Sequence, residues 1–139
     1  MGVLFDTNAI LDYLLVREPQ YNYVSNLIDL SQQRRIKTYV AFHSMSIIWY
    51  LMRKNFSPVE RRKFLLKVTN IFIVVSAPQD AVVEAILNEN FPDFEDCLQE
   101  KCALNVNADY IITSNVKDFA ASKVPAVTPA EMVGIINNS

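Results

Sequence analysis

Val3-Leu4-Phe5-Asp6-Thr7-Asn8-Ala9-Ile10-Leu11-Asp12 is the stretch on which the reading of the fold turns. Three apolar residues, too few for a helix, form a strand buried on both faces. Asp6 sits where that strand leaves the sheet, and Asn8 is placed to cap the next helix, which runs from Ala9 to Val16. In open parallel α/β sheets, ligands bind at that edge, outside the carboxyl ends of the strands. A strand-ending Asp also serves as a turn residue that bonds its own backbone, so this segment alone leaves both roles open.

Outward from this segment, strands and helices alternate. Helices are expected over Tyr21–Arg34, Ser44–Lys54, Gln79–Asn90, Asp93 to about Val106, and from Pro129 to near Asn138. Another is opened by Ser57-Pro58-Val59-Glu60, which reads as a capping box with Pro at the first helical position. Further strands are expected at Lys37–Phe42, Ile71–Val75, Tyr110–Asn115 and Val124–Val127. The helix over Ser44–Lys54 is apolar nearly all round and should be deeply packed. This rhythm predicts an α/β fold with a parallel-dominated sheet of four to five strands and helices on both faces. The 139 residues contain no repeat, low-complexity tract or linker, and read as a single domain over 1–139.

Composition narrows the function. Apolar residues make up 51% and charged residues 20%, as in ordinary globular domains. No apolar run is long enough to span a bilayer, and Met1-Gly2-Val3 lacks the charged start of a secretion signal. Cys97 and Cys102, five apart on one helix, point to different sides and suit a reducing, cytoplasmic setting. A single histidine, His43, argues against zinc, and two glycines exclude a glycine-rich phosphate loop. Charge is uneven. Nine of the 13 basic residues lie between Arg34 and Lys67, opposed there only by Glu60, whereas ten acidic residues face three lysines from Asp80 onward. Such a division suits a polyanion on one side and metal cations on the other, although solvation of helix faces explains the charges equally well.

Three segments bring oxygen ligands to one sheet edge: Asp6, then Asp93 with Asp96, then Thr113-Ser114-Asn115 followed by Asp118. Capping and the helix dipole account for Asp93 and Asp96 about as well as catalysis does, and Asp118 also suits a turn. Convergence favours a site, because clustered carboxylates repel unless a cation or proton intervenes. Oxygen ligands without His or Cys select Mg²⁺ or Mn²⁺, which would activate water and steady a phosphate oxygen. A phosphoacceptor receiver domain does not fit, since no apolar strand delivers a mid-chain Asp and no late strand ends in Lys.

Phe5-Asp6-Thr7-Asn8, Asp93-Phe94-Glu95-Asp96-Cys97-Leu98, Ala108 to Asn115 with Lys117-Asp118-Phe119, and Val124-Pro125 with Thr128-Pro129-Ala130-Glu131 together resemble a PIN domain from end to end. The resemblance implies a three-layer α/β/α fold and a Mg²⁺- or Mn²⁺-dependent endoribonuclease, usually the toxin of a bacterial toxin–antitoxin pair and often a homodimer. It assigns metal binding to Asp6 and Asp96, the fourth position to Asn115 with Asp118 beside it, and an accessory acid to Asp93. RNA phosphates would meet Arg53, Lys54, Arg61, Arg62 and Lys63, which would position RNA without reading its sequence. One position departs: Ile47 stands about where the family carries an acidic residue on its third helix, and Ile47 cannot ligate a cation. Glu100 is one acid available to fill the gap. The alternative is a catalytically degenerate PIN fold acting as an RNA- or protein-binding module.

Overall fold

The computed structural model describes residues 1–139. Five strands, β1 (Gly2–Phe5), β2 (Lys37–Ala41), β3 (Ile73–Val75), β4 (Tyr110–Ile112) and β5 (Ala126–Val127), form one sheet in the order β3-β2-β1-β4-β5. Every pairing is parallel. The helices are α1 (Thr7–Leu14), α2 (Gln20–Gln32), α3 (Phe42–Leu51), α4 (Pro58–Ile71), α5 (Gln79–Leu87), α6 (Phe94–Asn105) and α7 (Pro129–Asn137), with a short 3-10 turn at Val116–Phe119. The three-layer α/β/α arrangement follows from β1, whose Val3, Leu4 and Phe5 are wholly buried. Their side chains alternate. Val3 and Phe5 join a core with residues of α1, α2 and α7, such as Ile10, Leu27 and Met132. Leu4 joins Ala85 of α5 and Cys97, Cys102 and Ala103 of α6 on the opposite face. Burying each such side chain contributes roughly 1.5–3 kcal/mol.

Strand order reverses direction between β1 and β4: the chain steps from β1 out to β3, then returns to place β4 on the other side of β1. At such a switch point the loops leaving the carboxyl ends diverge and open a crevice. Asp6 and Thr113 are the residues that leave β1 and β4, and the Asp6 N–H still bonds the Ile112 carbonyl at 2.9 Å.

Several local expectations change. Asp6, not Asn8, caps α1, because its carboxylate accepts from the Thr7 N–H at 2.8 Å and the helix begins at Thr7. The strand expected as buried at Ile71–Val75 is a three-residue edge strand with Ile73 and Val74 exposed. The helix expected to be deeply packed, α3, buries only Ser44 and Ile48 within its span. Phe42, Tyr50 and Leu51 lie on the surface, Phe42 with 68% of its area exposed. Its all-round apolar character comes from an outward face that no element of this chain covers. The capping box at Ser57 and Glu60 forms as expected, and both cysteines are free thiols.

Candidate metal centre

Asp6 is 3% exposed. One carboxylate oxygen accepts from Thr7 N, and the other accepts from the Thr113 hydroxyl at 2.9 Å. Thr113 Oγ1 in turn accepts from Asn115 N at 3.0 Å. A relay from the loop after β4 thus fixes the carboxylate that leaves β1. Asp93 caps α6 with Oδ1, taking the Glu95 and Asp96 N–H groups at 2.7 and 3.3 Å. That cap turns the first residues of α6 toward the crevice, where carboxylate oxygens of Asp6, Glu95 and Asp96 lie within 4.8 Å of one another.

Crowding shows in the proton affinities. Burial, then the Glu95 charge, pushes Asp6 up to about 6, against the opposing bonds from Thr113 and Thr7. Burial, then the charges of Asp6, Glu95, Asp93 and Asp118, pushes Asp96 up to about 7. Three carboxylates held this close by fixed backbone carry negative charge that nothing on Asp6 or Asp96 neutralises. A hard divalent cation fits such an all-oxygen donor set, and Asp6 and Asp96 are the residues that would hold it.

A second polar layer lies beneath. Thr7 Oγ1 and Ser44 Oγ are 2.8 Å apart. The wholly buried Gln99 points its Nε2 at Ser44 Oγ (2.9 Å), Thr7 Oγ1 (3.3 Å) and Glu95 Oε2 (2.8 Å). His43 Nε2 also meets Glu95 Oε2 at 2.8 Å. Sequence reasoning missed Glu95, His43, Gln99 and Ser44 as parts of this cluster. For Glu95 the available signal was its spacing of four from Gln99, which puts both on one face.

The remaining expected residues divide. Asp118 follows in the 3-10 turn and acts on Asp6 and Asp96 through its charge, but lies outside the trio. Asn115 precedes that turn, and its backbone N–H, not its side chain, joins the relay. Asp93 lies outside the trio as well, with an oxygen engaged in the cap. Glu100 does not fill the gap left at Ile47. It is 1% exposed, accepts from Lys123 N at 2.8 Å and pairs with Lys101 Nζ at 3.3 Å. Arg53 and Lys54 follow the C-terminal end of α3, roughly 15 Å along the helix from His43, and Arg61, Arg62 and Lys63 lie in the first turns of α4, beside α3. There the Arg53 guanidinium lies over Tyr50 at 3.7 Å, and Arg61 and Arg62 lie over Trp49 at 4.0 and 5.2 Å. Lys54 and Lys63 are exposed nearby in sequence.

A family model described as PIN domain matches residues 2–117. The chain belongs to the PIN-domain family. Its fold is similar to that of VapBC2 from Rickettsia felis, solved bound to a DNA fragment from their promoter (TM-score 0.70, 14% identity, covering 92% of this chain and 98% of that one). It is similar also to VapBC-1 from nontypeable Haemophilus influenzae (TM-score 0.67, 18% identity, 94% and 99% covered). A third likeness is to PAE2754 from Pyrobaculum aerophilum (TM-score 0.64, 16% identity, all of both chains covered). No curated protein matches the chain in sequence. At these identities the solved structures establish the shared PIN fold. No helix of this PIN domain is long and apolar enough to cross a membrane.

Proposed function

We propose that this PIN domain is a divalent-metal-dependent endoribonuclease, a cytoplasmic single-domain toxin of a toxin–antitoxin pair. The observation that carries the reading is the meeting of Asp6, from the end of β1, with Asp96, from the first turn of α6, at the switch point of the sheet, each with its proton affinity raised. Mg²⁺ or Mn²⁺ held there supplies Lewis acidity toward water and toward a phosphate oxygen. Asp6 is a fixed ligand, because its two hydrogen bonds leave its carboxylate one orientation. Asp118 and Asn115 flank the opening from the β4 side and orient what enters, and Asp93 holds the first turn of α6 in place. Arg53, Lys54, Arg61, Arg62 and Lys63 contact phosphates away from the scissile bond.

The antitoxin reading is supported by a groove of about 440 Å³ lined by Phe42, Met45, Trp49 and Leu65, with Arg62 on its rim. An apolar helix carrying acidic residues suits that lining. Solved neighbours of this fold include a toxin–antitoxin complex from Klebsiella pneumoniae (TM-score 0.68, 18% identity, 91% of this chain and 97% of that one covered). Exposed Val83, Ile86 and Leu87 on α5 give a second apolar face suited to a homodimer.

Cleavage of a labelled RNA in Mn²⁺, Mg²⁺ or EDTA, by wild type, Asp6→Asn and Asp96→Asn, tests the proposal. Metal-dependent cleavage lost in both variants supports it. Activity that ignores EDTA or survives both substitutions contradicts it. The second reading, a binding module without cleavage, draws on the absence of an acid from α3, which presents His43 and Ser44 to the cluster instead. RNA retention without cleavage under all metal conditions would favour it.

A further inference from the structure

We propose that Glu95 supplies the third carboxylate of the metal site, in place of the acid missing from α3, and that His43 on α3 is the residue that positions it. This role for Glu95 rests on the metal-dependent reading and fills the part of the site that the family pattern leaves blank.

Three observations carry it. First, Glu95 belongs to the trio within 4.8 Å, although it neighbours Asp96 on the same helix and comes from a different element than Ile47. Second, both of its donors land on one oxygen. His43 Nε2 and Gln99 Nε2 each lie 2.8 Å from Oε2, and Oε1 accepts no hydrogen bond. Two donors on a single oxygen hold the carboxylate in one orientation and leave the other oxygen free for a cation. Third, the Gln99 amide is oriented at the expense of its own oxygen. A carboxylate only accepts, so the amide nitrogen must face Glu95. Gln99 Oε1 is left buried without a partner. Here the fold keeps an N–H on Glu95 Oε2 instead.

His43 occupies the second position of α3, so the helix that carries an acid in the family carries here the donor that orients an acid from α6. For this bond Nε2 carries the proton. The arrangement matches the general pattern in which a ligating carboxylate is itself held by an outer hydrogen bond.

Mn²⁺ binding to the full chain, followed by the EPR signal of the free ion without RNA, tests both parts. Glu95→Gln is expected to weaken binding by about tenfold or more, and His43→Leu by about tenfold. His43→Gln, which retains an N–H donor, should recover most of that loss, as a merely space-filling role would not allow. Glu89→Gln, an exposed acid elsewhere, should bind as wild type does. If Glu95→Gln fails to fold, Glu95→Asp, which keeps the charge on a shorter arm, carries the same expectation. Wild-type affinity in the Glu95 variant, with binding lost in Asp6→Asn, overturns the role of Glu95 and leaves the metal-dependent reading standing. Wild-type affinity in His43→Leu overturns the positioning role alone. Failure of the wild-type chain to bind Mn²⁺ overturns both this inference and that reading.

Discussion

Helix α6 contributes to two acidic clusters, one turn apart, that solve the same electrostatic problem in opposite ways. At Glu100 the charge is closed. Lys101 Nζ lies 3.3 Å away, the Lys123 N–H donates at 2.8 Å, and Lys101 continues to Glu84 at 3.3 Å. At Asp96 the charge is open. Asp6 and Glu95 stand beside it, both push its proton affinity up, and no cationic side chain reaches Asp6 or Asp96. Burying a charge is tolerable when it is paired. The closed cluster therefore belongs to the architecture, tying α6 to the segment before β5. The open one is a standing liability unless a cation joins it, and that asymmetry separates structure from chemistry on a single helix.

The contrast breaks most visibly under substitution. Asp6→Asn and Asp96→Asn should each lower metal-dependent RNA cleavage by roughly two to three orders of magnitude, while the metal-free proteins at pH 8 melt at or above the wild-type temperature. Melting well below wild type would mean that these acids are structural after all. Glu100→Ala should do the reverse. Stability in denaturant is expected to fall by about 3 kcal/mol, since Lys101 loses its buried partner, with Mn²⁺ affinity unchanged once the variant is folded.

Acidity gives the next largest effect. The folded-state affinities of Asp6 and Asp96 lie near 6 and 7, above the ordinary 3.8, so the folded chain holds protons that the unfolded chain has released. Metal-free stability should therefore fall as pH rises from about 4 to about 7 and level off above. Asp6 alone accounts for roughly 2–3 kcal/mol of that fall, and the half-exposed Asp96 adds less because solvent screens it. Saturating Mn²⁺ should remove most of the slope. A flat profile without metal would show that the carboxylates are not crowded. The smallest effect is at the basic end of α3, where Arg53→Ala or Arg62→Ala should weaken RNA binding by about 1 kcal/mol. Each should also lower the salt dependence by roughly 0.7 in log–log slope. Arg62 is the cleaner probe, because Arg53 Nη1 also holds the Tyr50 carbonyl at 2.9 Å, as Arg61 Nη1 holds that of Trp49 at 3.0 Å.

How much of this could be read from the chain depends on how far each residue acts. Asp6 and Asp96 were legible, since a strand end and a helix start are set by local pattern, and topology alone brings them to one edge. The parallel sheet was legible for the same reason. Glu95 was not, because its partners, His43 and Gln99, come from one helix far away and from the next turn of its own. Nothing local distinguishes an acid that caps a dipole from one that crosses to α3. Glu100 was a reasonable candidate by helical spacing, and only the neighbouring Lys101 and the backbone at Lys123 show that its charge is already balanced. Burial of α3 was misjudged because composition reports that a face is apolar, not that the chain itself covers it. The edge strand β3 misled in the same way.

The central claim is that carboxylates from β1 and α6 share one divalent ion. A crystal of the wild-type chain soaked in Mn²⁺, with diffraction recorded at the manganese absorption edge, tests this most directly. One strong anomalous peak is predicted, roughly 2.0–2.3 Å from oxygens of Asp6, Glu95 and Asp96. A crevice without such a peak, while Mn²⁺ binds elsewhere on the surface, would contradict it.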